Sequence, residues 1–165
     1  MTSSGTATVT LPTDEQILIT REFDAPRDLV WRAWTTPEFV RRWWHAKRGE
    51  VTVVEIDLRV GGKWRYAMVA DDGAEVAFHG EYLEIVPNER IVNTEIFEGM
   101  PDGDSPPTVN TITFVELPDG RTRLEMLTEC PSKDVRDMIV ASGMEAGMQD
   151  GLDLLEELAI ELAAA

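Results

Sequence analysis

The sequence predicts an α+β fold in which a strongly curved, seven-stranded antiparallel sheet wraps around one long C-terminal helix, with two short helices after the first strand. Three observations carry that prediction. Residues 50–129 divide into six strand-like runs separated by turn signals, with no helix-length apolar periodicity between them. A single long amphipathic segment follows Pro131-Ser132, and Pro-containing helix starts occur twice, at Asp24-Ala25-Pro26 and Thr36-Pro37-Glu38, directly after the first strand.

Residues 1–14 are rich in Ser, Thr and Gly and read as a flexible N-terminal arm, with one domain over 15–165. From Gln16 the β-branched run ILITREF predicts the first strand. Asp24 or Ala25 then lies near a helix cap, with Pro26 in the first turn and Leu29, Val30, Ala33 and Trp34 at helical spacing. In the second helix Thr36 is the expected N-cap and Pro37 the first helical residue. There Val40, Trp43 and Trp44 form one apolar side, and Arg41, Arg42 and His45 fall mostly on the other.

The six later strands are expected at about 50–59, 63–70, 75–86, 90–98, 108–117 and 121–129, and connections this short require antiparallel neighbours. Alternation assigns an inward face to Val54, Ile56 and Leu58, to Trp64, Tyr66 and Met68, to Ile112 and Phe114, and to Leu124 and Met126. The opposite faces carry Glu55, Asp57 and Arg59, or Thr111 and Thr113. Between Phe78 and Leu83 the phase changes, which calls for a bulge near Gly80.

One helix is expected from Ser132 to about Leu162, with Ser132 as cap. Gly143, Gly147 and Gly151 interrupt it on one face, each at about 1 kcal/mol relative to alanine. Either another backbone packs close there or space is left beneath the helix. A curved sheet gripping one helix leaves room for a ligand cavity. Its expected walls are Trp44, Trp64, Tyr66, Met68 and Phe78, together with Ile112, Phe114, Met126, Met144 and Met148.

Thirty-one acidic residues against fifteen basic ones give a formal charge of −16, which opposes nucleic acid and anionic membranes as partners. The run RRWWHAKRG, residues 41–49, therefore reads as a solvated edge beside a tryptophan anchor. The first residues lack a signal-peptide pattern, and no window reaches the roughly 18 apolar residues of a membrane span. One cysteine, Cys130, excludes an intrachain disulfide, and a cytoplasmic location is the expectation.

His45, His79 and Cys130 have no metal-ligand spacing, so neither metal nor cofactor is expected. There is no nucleophile elbow and no phosphate loop. Acid/base chemistry has one weak candidate, His79. Asp57, Glu81 or Glu129 could serve only if the strand parity were reversed.

The order of Trp31, Trp34-Thr35, Pro37-Glu38 and Trp43-Trp44, then Asp57-x-Arg59-x-Gly61-Gly62-x-Trp64, Gly80-Glu81-Tyr82-Leu83-Glu84-Ile85 and Pro87-x-Glu89-Arg90 resembles the START/SRPBCC superfamily. Within it, the similarity is to the branch of homologues of the activator of the heat-shock-protein-90 ATPase, over about 16–162. The resemblance implies the helix-grip fold. Two departures stand out: His45-Ala46 follows the tryptophan pair where Gly-Pro is common, and Met148 stands where the closing helix often has tryptophan.

The leading expectation is a non-enzymatic domain, monomeric or homodimeric, that binds a small apolar ligand between sheet and helix. The family name implies the alternative, a co-chaperone-like or regulatory module with a protein partner. Superfamily cyclases and aromatases imply the third, an enzyme using a cavity acid/base.

Overall fold

The computed structural model describes residues 7–100 and 103–165. Its strands are β1 (Thr8–Thr10), β2 (Gln16–Phe23), β3 (Gly49–Ile56), β4 (Lys63–Ala70), β5 (Glu75–Val86), β6 (Arg90–Phe97), β7 (Thr108–Glu116) and β8 (Thr122–Glu129). The helices are α1 (Arg27–Thr35), α2 (Pro37–Trp43), α3 (Lys133–Ala141) and α4 (Met144–Ala164). All eight strands form one antiparallel sheet in the order β1-β2-β8-β7-β6-β5-β4-β3. The curved sheet and its closing helix make the helix-grip arrangement expected from the sequence, with one strand more.

The additional strand comes from the arm. Thr8–Thr10 pairs with Leu18–Thr20 of β2, and the Gln149 side chain of α4 both accepts from Ala7 N (3.0 Å) and donates to Ala7 O (2.7 Å). A short polar stretch thus gains partners from distant residues, which its weak local alternation does not reveal. Residues 1–6 of the expected flexible arm lie outside the described residues.

At the start of α1, Pro26 is the N-cap itself, with ψ 150°, and its carbonyl accepts from Leu29 N and Val30 N. Pro37 opens α2 after Thr36, which caps it by position without a side-chain hydrogen bond. The sheet bends at two irregularities. The register of β3 shifts between Val51 and Val53, and that of β5 between Tyr82 and Glu84. The expected bulge near Gly80 therefore lies about three residues later, leaving Leu83 exposed.

Gly80 is instead a close-approach residue, because a Cβ there would meet Thr94 O at 1.9 Å and Trp64 Nε1 at 2.7 Å. The Trp64 indole crosses it to donate to Thr94 O at 3.2 Å. Leu58 also departs from expectation, since β3 ends at Ile56 and Leu58 lies exposed in the following turn.

The expected single closing helix is two. Ser132 caps α3, accepting from Val135 N at 3.2 Å, but the chain turns at Gly143, whose φ of +82° is the left-handed conformation that glycine adopts without penalty. Beyond the turn, α4 buries Leu152, Leu155, Leu158 and Ala159. They join one core with Ile17, Ile19 and Phe23 of β2 and with Ile112, Phe114 and Leu124 of β7 and β8.

A buried ion cluster ties α4 to β2. The fully buried Arg21 side chain lies 2.5 Å from Asp153 and 2.9 Å from Glu156, whose other oxygen accepts from Asp24 N at 2.8 Å. Such a cluster holds the two elements in one relative position, since sliding either one would strand a buried charge.

Candidate functional site

Space remains where the first turns of α4 stand off the sheet. A cavity of about 490 Å³ lies between α4, the end of α2 and the concave faces of β4 to β8. The strand pattern places its walls: Trp64, Tyr66 and Met68 face inward from β4, Val76 and Phe78 from β5, and Ile91, Asn93 and Glu95 from β6. Met144, Gly147 and Met148 form the part of the wall supplied by α4.

Nine of the ten residues expected to line a cavity do so: Trp44, Trp64, Tyr66, Met68 and Phe78, with Ile112, Met126, Met144 and Met148. Phe114 does not. It is 1 % exposed and packs edge-on against Trp31 (5.2 Å between ring centroids) and Trp34 (6.2 Å), where α1 covers β7. Strand parity correctly turns it inward, but inward at that level of β7 is solid core.

The glycine stripe proves to have three different causes. Gly143 makes the turn, Gly147 has nothing within 4 Å of a would-be Cβ, and Gly151 lies in ordinary contact with Trp43 O at 3.6 Å. The choice between close packing and open space thus resolves residue by residue, with Gly147 over the cavity.

Trp43 and Trp44 divide the work of α2. Trp43 is buried, stacks on Trp34 at 4.9 Å and donates from its indole to Ala33 O at 2.9 Å. Trp44 meets Tyr66 at 5.5 Å and Phe78 at 6.0 Å, both edge to face, and borders the cavity. Arg41, Arg42 and Lys47 are exposed. Arg48 is exposed and also borders the cavity; its guanidinium pairs with Asp150 of α4 at 2.7 Å.

The loop after the tryptophans is strained. Ala46 and Lys47 have φ of +52° and +61°, a left-handed conformation that costs an L-residue about 1–2 kcal/mol. It is held by neighbours: His45 Nδ1 accepts from Lys47 N, His45 O from Arg48 N, and Ala46 O from the Arg48 guanidinium.

His79, the candidate acid/base, is not in the cavity. It alternates with Phe78 and so projects from the outer face, where its Nδ1 lies 2.8 Å from Glu98, a carboxylate also held by Arg65 through two 3.0 Å hydrogen bonds. The Arg65 hydrogen bonds, with help from His79, hold the Glu98 carboxyl below its usual range. Asp57, Glu81 and Glu129 do not line the cavity either.

The carboxyl that does is Glu95, which sequence reasoning passed over. Its Oε1 accepts from Asn110 Nδ2 at 2.8 Å, and Asn110 Oδ1 accepts from Thr128 Oγ1 at 2.7 Å. Burial pushes the Glu95 carboxyl up, against the opposing pull of the Asn110 hydrogen bond. Burial likewise pushes the Tyr66 hydroxyl well up, with the charges of Tyr82 and Glu95 adding to it. The available signal was the parity of β6, which puts Asn93 and Glu95 on the same face as the apolar Ile91. Among the described residues no group of three His, Cys, Asp or Glu is placed to hold a metal ion, and no helix is long and apolar enough to cross a membrane.

The curved sheet and its gripping helix are shared with known proteins. The family model described as activator of Hsp90 ATPase homolog 1-like protein matches residues 24–159. The chain belongs to this family. Among solved structures, protein CV1439 from Chromobacterium violaceum is 32 % identical, with 87 % of this chain and 96 % of that one covered and a TM-score of 0.72. Protein Ms6760 from Mycobacterium smegmatis is 26 % identical over 93 % of this chain and 96 % of its own, with a TM-score of 0.83. A Rhodobacter sphaeroides protein at 21 % identity, covering 96 % and 99 %, shares the fold with a TM-score of 0.83. No curated protein matches the chain.

Proposed function

We propose that this member of the Hsp90-ATPase-activator-homologue family is a binding domain that holds one small, mainly apolar molecule between the sheet and α4. The observation that carries this reading is the hollow itself. About 490 Å³ lies behind walls of Trp, Tyr, Phe and Met, and α4 presents Gly147 over it where a larger residue would project into the space. That volume falls in the range typical of small-molecule sites, roughly 300–1,000 Å³. Burial of a ligand's apolar surface supplies the affinity, at about 25 cal/mol per Å² before the costs of association. Thioether walls from Met68, Met126, Met144 and Met148 adapt to ligand shape more readily than rings.

The test is a titration with the neutral dye Nile red, read by emission intensity and blue shift. One saturable site is expected, and Gly147→Phe, which fills the hollow, should weaken it at least tenfold. Non-saturable binding, or equal binding by Gly147→Phe, would sink the reading.

A further inference from the structure

Two residues of β6, Asn93 and Glu95, give the cavity acceptors beside the hydroxyls of Tyr66 and Tyr82. Glu95 receives the Asn110 amide on Oε1, while its Oε2 has no hydrogen-bond partner among the described residues. Two residues away on the same face of β6, the 94 %-buried Asn93 donates its amide to Thr94 O at 3.0 Å, and its Oδ1 likewise has no protein donor among the described residues. Both residues line the cavity. Neither oxygen is sealed in by protein, so each is open to whatever occupies the cavity, and a carboxylate at an apolar wall is best answered by a counter-charge.

Among the described residues no cation answers Glu95. The groups that act on its carboxyl are the burial itself and Asn110, and the basic residues in the cavity wall are His45 and Arg48 on the α2–β3 loop, Arg48 being paired to Asp150. Around the same space stand the rings of Trp44, Trp64, Tyr66 and Phe78, whose π faces attract cations at close range. A formal charge of −16 also raises the local concentration of cations at the surface.

We propose that the cavity selects an apolar organic amine, with its ammonium group donating to Glu95 Oε2 and its hydrocarbon body against the Trp, Tyr, Phe and Met walls. This rests on the ligand-binding reading above and narrows its ligand class. A neutral alcohol of the same shape satisfies the walls but leaves the carboxylate without a counter-charge, and an acid of that shape sets two carboxyls against each other. An ammonium ion supplies the counter-charge that the site lacks, together with donors for Glu95 Oε2.

The experiment compares 4-phenylbutylamine, 4-phenylbutanol and 4-phenylbutanoic acid by calorimetric titration at pH 7, at low salt and at 0.5 M salt, where surface attraction is screened. The amine should bind at least tenfold more tightly than the alcohol at both salts, and the acid most weakly. Glu95→Gln keeps the shape and the contact to Asn110 but removes the charge. It should bring the amine down to the alcohol's affinity in that variant. Alcohol binding equal to or tighter than amine binding in the unaltered protein overturns the inference, as does an amine preference that vanishes at 0.5 M salt or survives in Glu95→Gln. Those results leave the apolar-ligand reading standing. If neither the alcohol, the amine nor Nile red binds saturably, both fall.

Discussion

The two ends of α4 meet different surroundings on the same sheet. Its C-terminal part is set in solid core: Leu155 and Ala159 are fully buried, and Asp153 and Glu156 hold the buried Arg21 of β2. Its first two turns carry Met144, Gly147 and Met148 over the cavity. One half is thus filled to the density at which a missing methylene is felt, while the other stands over open space. Close packing is concentrated in the filled half, and open space in the hollow one.

The largest test of this division is a matched truncation. Leu155→Ala removes packed atoms from a site without room to collapse and should cost about 2–5 kcal/mol. Met148→Ala only enlarges a space that already exists and should cost about 1 kcal/mol, the transfer of a half-buried side chain. Urea midpoints at unchanged m-value measure both. Equal losses would mean that the cavity wall is as tightly supported as the core.

Glycines sharpen the contrast with smaller effects of opposite sign. Gly80→Ala pushes a methyl group into Thr94 O and the Trp64 indole and should destabilise by about 1–3 kcal/mol. Gly147→Ala places the same methyl group in open space on a helix and should stabilise by about 1 kcal/mol. In a chain of this size each kcal/mol moves the melting temperature by about 2–4 °C, so the two variants should melt on opposite sides of the parent. Shifts in the same direction would show that the space under Gly147 is not free.

Much of this was legible in the sequence because strands write their faces in alternate residues. Trp64, Tyr66, Met68, Phe78 and Ile112 were placed correctly on that basis alone. What parity does not encode is depth. Phe114 and Ile112 share a face of β7, yet one lies beneath α1 and the other beside the cavity, and that difference depends on where a helix from elsewhere lands. Polar residues on apolar faces were the other loss. Arg21 shares the face of Ile17, Ile19 and Phe23, and Glu95 that of Ile91, so the same periodicity pointed to both, but their partners come from 15 to 135 positions away. The turn at Gly143 was read as part of a stripe because a left-handed φ leaves no mark distinct from that of a helical glycine.

The finest test sets the two sides of the sheet against each other through two glutamates three residues apart. Outside, Arg65 and His79 hold Glu98 below its usual range, so across that interval the unfolded chain binds the extra proton. Glu98 therefore contributes stability above the ordinary carboxylate value, and that contribution is lost as pH falls through the lowered one. Inside, burial holds Glu95 above its usual range, so the folded state keeps the proton longer and stability declines as pH rises from the ordinary value through the raised one. Glu98→Gln should then lose more stability, relative to the parent, at pH 7 than at pH 3. Glu95→Gln should show the reverse trend, becoming relatively more stable as pH rises. Urea midpoints across that pH range give both curves, and slopes of the same sign would mean that the cavity end of β6 is as well solvated as its outer face.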